Sequence, residues 1–220
     1  MQDADIRTGI DWSRSIPRDR IFDPVIAELT GPGERVLDLG CGRGDLLDRL
    51  KKEKKIMELG IELDPEHVAD CLSRGLSVIQ GDMEESVADF EDDYFDLVVM
   101  NQVMLSVKDP LYLLENSLRI SRRVVVSFPN FAHWKIRLQI MFKGRLPVNR
   151  DLPYEWYNTP NIRLSTVDDF EILCAKIKAG IDQRYFAGQD AKGRFAKISF
   201  WPNLRSSLAL FCLSRTSGVL

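Results

Sequence analysis

Along this chain, short and almost continuously apolar runs alternate with stretches whose apolar positions recur every three or four residues. Arg35-Val36-Leu37-Asp38-Leu39 predicts a strand, and further strands are expected over Ile56–Glu62, Leu76–Gln80, Leu97–Met100 and Val124–Phe128. Asp23-Pro24 reads as an N-cap followed by proline at the first helical position, opening a helix that turns Val25, Ile26 and Leu29 inward and stops before Gly31-Pro32-Gly33. Asp64-Pro65 repeats that start, a helix is expected from about Asp45, and Leu111, Leu114 and Leu118 give Pro110–Ile120 a helical period. Thr166 with Asp169 resembles a capping box for a helix through about Lys178. Ile181–Phe186 and Leu208–Leu213 then read as strands separated by a Gly-rich, charged stretch. Short apolar strands separated by helices pair in parallel with both faces covered. The expected fold class is therefore α/β: one doubly wound, Rossmann-like domain over residues 1–220, its seven-stranded, mostly parallel sheet closed by an antiparallel C-terminal strand pair.

Composition narrows the function. The 220 residues suffice for one sizeable core, and 45% hydrophobic with 29% charged content is ordinary for a globular protein. A net charge of −3 argues against general affinity for nucleic acid or an anionic membrane. Lys51-Lys52-Glu53-Lys54-Lys55 is broken by an acid and reads as a solvated helix face. No apolar run approaches the roughly 20 residues that span a bilayer, and the acidic N-terminus lacks the features of a secretory signal. Cys41, Cys71, Cys174 and Cys212 are scattered and only two histidines are present, which fits a reducing cytoplasm and supports neither a disulfide framework nor a metal site.

The chemistry starts at VLDLGCGRGDLL, residues 36–47, a strand running into a glycine turn that opens a helix. Glycines let the chain turn sharply and bring backbone N–H groups close to a ligand. The glycines are 40, 42 and 44, so the third position of a dinucleotide fingerprint falls on Asp45, whose carboxylate would repel a pyrophosphate. With Asp38 ahead of the turn, a ligand bearing an ammonium group and no phosphate is favoured. The stretch resembles the first motif of class I S-adenosylmethionine (SAM)-dependent methyltransferases. The expected site for SAM or S-adenosylhomocysteine comprises Asp38, Gly40, Cys41, Gly42 and Gly44, with Glu62 on the ribose hydroxyls and Asp82 on the adenine amino group. Leu63 and Met83 are expected to sandwich the purine, and Asn101 completes the set after strand four.

VSFPNFAHWKIRLQIMFKGRLPV (126–148), LPYEWYNTPNIRLST (152–166) and WPNLRSSLALFCLSR (201–215) resemble the methionine biosynthesis protein MetW family, a likeness running from about Gly33 to Arg215. It implies a SAM-binding, methyltransferase-like protein of bacterial methionine synthesis, serving as an accessory subunit of homoserine O-acyltransferase. The alternative is a true methyltransferase acting on a small molecule. Displacement at a sulfonium depends mostly on positioning, so the lack of an obvious base excludes nothing, and no catalytic residue is assigned. Asn101, Gln102, Asn130, His133, Tyr154 and Tyr157 are acceptor-side candidates, with His133 either a base or a structural histidine between aromatics. No Gly-x-Ser-x-Gly elbow exists, so an acyl-transferring serine would have to come from the partner. The aromatic loop 143–165 is expected to pack tightly with Trp134, either as a lid or as a partner-facing wall, with Phe131, Trp134 and Leu138 sharing a helix face. Residues 1–20 form an extension with no assigned role.

Overall fold

The structure is a computed structural model and describes residues 20–146, 148, 154–159, 161–189 and 195–215. Most of the predicted N-terminal extension therefore lies outside the described residues, as do 147, 149–153 and 160 of the aromatic loop. The chain runs α1 (Asp23–Leu29), β1 (Arg35–Leu39), α2 (Asp45–Lys54), β2 (Met57–Glu62), α3 (Pro65–Ser73), β3 (Val78–Gln80), α4 (Met83–Ser86) and β4 (Phe95–Asn101). It continues through α5 (Pro110–Ile120), β5 (Ser121–Pro129), α6 (Trp134–Lys143), α7 (Val167–Lys176), β6 (Ala179–Gln189), β7 (Phe195–Lys197), α8 (Pro202–Arg205) and β8 (Leu208–Arg215).

The strands form one sheet in the order β3-β2-β1-β4-β5-β8-β6-β7. The first five pair in parallel, while β8 runs antiparallel to both β5 and β6. Among the described residues the sheet has eight strands where seven were expected. The extra one, β7, pairs three residues at the edge with Ala187–Gln189 of β6, and a three-residue segment in a polar stretch carries no readable period. Side chains alternate across the strands. Leu37, Leu39, Val98, Met100 and Val126 enter one apolar layer, and Val36, Leu97, Val99 and Val125 enter the other, with α1 and α2.

Two of the three predicted caps form. Asp64 Oδ1 accepts from the Glu66 N–H at 2.8 Å, and Thr166 Oγ1 accepts from the Asp169 N–H at 3.1 Å. The expected Asp23 cap does not. Phe22 holds that position and Asp23 is the first helical residue, its carboxylate buried toward the sheet.

Candidate functional site

Strand order reverses between β1 and β4, and open α/β sheets place ligands in the crevice at the carboxyl ends of the strands there. A cleft of about 320 Å³ lies at this point, and Asp38 is on its floor. Strand alternation puts Asp38 on the same face as Val36, toward the apolar α1/α2 layer, so its side chain is buried, with 3% of the residue exposed. Burial first, then the carboxylates of Asp23 and Glu62, push its pKa up to about 8. Asn101 at the end of β4 donates from Nδ2 to Asp23 Oδ1 at 3.4 Å and accepts from the Ser127 hydroxyl at 2.5 Å. The floor thus holds two buried acids, Asp38 and Asp23, the second bonded to the Asn101 amide.

The glycine turn forms the wall. Gly40, Gly42 and Gly44 all have positive φ, and a Cβ at Gly40 would lie 2.6 Å from Val103 Cγ1. Glu62 braces this turn, accepting from the Gly42 N–H at 2.8 Å and the Asp64 N–H at 2.9 Å. Beneath it, the thiols of Cys71 and Cys41 both point to the Gly42 carbonyl, at 3.3 and 3.8 Å. Burial and the nearby Asp38 raise the Cys41 pKa, so this thiol stays neutral and packs as an apolar group.

Of the ten residues expected at the site, Asp38, Gly40, Cys41, Gly42 and Asn101 line this cleft. Gly44 caps α2, Glu62 braces the turn, and Asp82 Oδ1 accepts from the Glu84 N–H at the start of α4. Leu63 is exposed, and the Met83 methyl lies against Gly40. Sequence reasoning missed Arg20, Asp23, Arg43, Asp45, Leu46 and His67, which also line the cleft. Asp23 had been read only as a cap. Arg20 pairs with Asp45 and Arg43 with Asp70, so both cations are already matched at the rim. A cation entering the cleft would favour the charged form of the buried Asp38 carboxyl, whereas a phosphate would oppose its ionisation. A ligand carrying an ammonium group therefore fits these residues.

The predicted tight packing of the aromatic segment is not what the fold shows. Tyr154, Trp156 and Tyr157 are all exposed, and Trp156 and Tyr157 meet edge to face at 5.8 Å. With Phe131, Gly144–Leu146 and Leu164 they line a second cleft of about 500 Å³ that shares no residue with the first. Phe131 lies in the turn before α6, so it is not on the helix with Trp134 and Leu138. His133 is buried, its ring tilted against Trp134 at 5.8 Å. Asn130 is a fully used staple. Its Nδ2 donates to the Asn203 and Ser206 carbonyls at 2.9 Å each, and its Oδ1 accepts from the Ala132 and Val167 N–H groups.

Solved structures define the class: the fold is that of SAM-dependent methyltransferases. The chain superposes on the SAM-dependent methyltransferase of Archaeoglobus fulgidus with a TM-score of 0.65, at 16% identity, covering 90% of this chain and 92% of that one. The S-adenosylmethionine-dependent methyltransferase of Mesorhizobium loti gives 0.64 at 18%, covering 90% and 98%, and the [4+2]-cyclase SpnF gives 0.63 at 16%, covering 91% and 82%. Within that class, residues 21–213 match the family described as methionine biosynthesis protein MetW, and the chain belongs to it. The bifunctional methionine biosynthesis protein MetXA/MetW of Rhodopirellula baltica is 31% identical over 215 residues, 91% of this chain, and this chain spans only 34% of that protein's length.

Proposed function

We propose that the chain is a single SAM-binding unit of bacterial, cytoplasmic methionine synthesis that serves homoserine O-acyltransferase as an accessory, SAM-responsive subunit. The observation that carries the ligand half is the buried Asp23–Asp38 floor beneath the glycine turn, an acidic pocket for the methionyl ammonium of SAM or S-adenosylhomocysteine. Asp38, Gly40, Cys41, Gly42 and Asn101 would hold the methionyl end. Gly44 shapes the turn, and Glu62, Leu63, Asp82 and Met83, past β2 and β3, would hold ribose and adenine. Support for the second half is the family itself and a relative that joins MetXA to MetW in one chain, MetX being the acyltransferase. SAM lies downstream of methionine, so a subunit that binds it can report pathway output. The fold shared with a [4+2]-cyclase supports a role other than methyl transfer, since one fold hosts many activities.

Calorimetry with SAM and S-adenosylhomocysteine tests the site. Glu62→Ala removes the brace on Gly42 as well as the ribose acceptor and should weaken both ligands by about ten- to a hundredfold. Unchanged affinity would mean the adenosine lies elsewhere. Acyltransferase activity measured with and without the purified chain tests the subunit role. A true small-molecule methyltransferase is the second reading, favoured by the structural likeness alone, and turnover of labelled SAM to S-adenosylhomocysteine in extracts of small metabolites would select it.

A further inference from the structure

The apolar stripe of α6 is turned away from the protein. At 100° per residue, Trp134, Leu138, Met141 and Phe142 fall within an arc of about 100°, the spacing of a helix that buries one face. Yet Met141 is 65% and Phe142 77% exposed, and Trp134 and Leu138 are exposed beside them. The buried residue of this helix is Ile136, which stands on the opposite side. Lys135 and Arg137 border the stripe on its two sides, Lys143 and Arg145 follow, and residues 134–148 contain no acid. Lys135 Nζ lies 5.6 Å from the centre of the Trp134 ring. The chain leaves α6 through Gly144, Arg145 and Leu146, which line the second cleft with Tyr154, Trp156 and Tyr157.

A ten-residue helix is marginal on its own in water, and contiguous apolar exposure of this kind marks an interaction surface. We infer that the outward face of α6, continuous with the Tyr154–Tyr157 cleft, docks an apolar, acid-rimmed protein surface on homoserine O-acyltransferase. The identity of that occupant rests on the function proposed above; its chemistry rests on the residues. Cations on both flanks of the stripe select an acidic rim. A second copy of the same face would oppose cation to cation, which disfavours a symmetric homodimer here. The relative in which MetXA and MetW share one chain has the two units already linked.

The test uses the full chain and the purified homoserine O-acyltransferase of the same genome. Met141→Ser, Phe142→Ser and Trp156→Ala remove exposed groups, so melting temperature and SAM affinity should match wild type. Each should weaken acyltransferase binding by at least about tenfold, as loss of an interface anchor does. Lys135→Glu should weaken it and remove part of its salt dependence. If wild type binds the enzyme and all four variants bind as tightly, the surface is wrong while the subunit role stands. If wild type does not bind, both fall. Co-sedimentation with phosphatidylcholine–phosphatidylglycerol vesicles that depends on Phe142, or a homodimer in sedimentation equilibrium that Phe142→Ser dissociates, would also overturn the assignment.

Discussion

Asp38 carries a proton at neutral pH because strand alternation points it into an apolar layer beside another acid. In the unfolded chain the same carboxyl titrates near its ordinary value, so between about pH 4 and pH 8 the folded protein holds a proton that the unfolded one has lost. The difference in bound protons makes unliganded stability fall as pH rises through that window, by at most about 1.4 kcal/mol per pH unit. Asp38→Asn should flatten the slope, and denaturant melts at pH 5, 6, 7 and 8 would measure it. Asn130 presents the opposite case, a buried polar group with every bond made. Asn130→Ala strands two carbonyls and two N–H groups and should cost about 3 kcal/mol, read as a shifted urea midpoint at constant slope. The sequence offered it as an acceptor-side candidate, and its partners 73 and 76 positions later were invisible there.

Among the elements, β2 shapes the glycine turn by what it lacks. Gly60 sits mid-strand, and a Cβ there would lie 2.5 Å from Cys41 Sγ and 3.2 Å from Leu47 Cδ1. Gly60→Ala should cost about 1–3 kcal/mol by overpacking and weaken SAM by tilting the turn. Adding Cys41→Ala should recover part of both losses, and a double-mutant cycle of melts and calorimetry would show the coupling. At the other end of the sheet, Thr166→Ala removes the α7 cap and should cost about 1 kcal/mol with SAM affinity unchanged. Strand existence was readable because buried strands are apolar on both faces. Their ends were not: β4 runs from Phe95 to Asn101 and β5 from Ser121 to Pro129, since pairing with neighbours extends a ladder past its apolar centre.

For the molecule as a whole, ligand, proton and fold are linked. An ammonium group over Asp38 favours the ionised carboxylate, so binding of SAM at pH 7 should release a proton and affinity should rise with pH up to about 8. Calorimetry in buffers of different ionisation enthalpy would report that proton, and its absence would place the ammonium away from Asp38. Ligand at a hundred times Kd should add about 2.7 kcal/mol to stability, seen as a higher melting temperature.

What the sequence by itself determined was the local and the periodic: strands and helices in order, the capping of α3 and α7, a glycine turn after β1, and the acids Asp38 in β1, Glu62 at the end of β2 and Asp82 after β3. These depend on neighbours a few residues apart, whose geometry the chain dictates wherever it folds. The tertiary structure decided which side of the sheet Asp38 faces among its partners, that Asp23 is the first residue of α1 and lines the cleft, and that Arg20 reaches its rim. It also decided that the apolar stripe of α6 points outward. A period of 3.6 shows that a helix has an apolar face, but the element against which that face packs lies elsewhere in the chain or in another molecule.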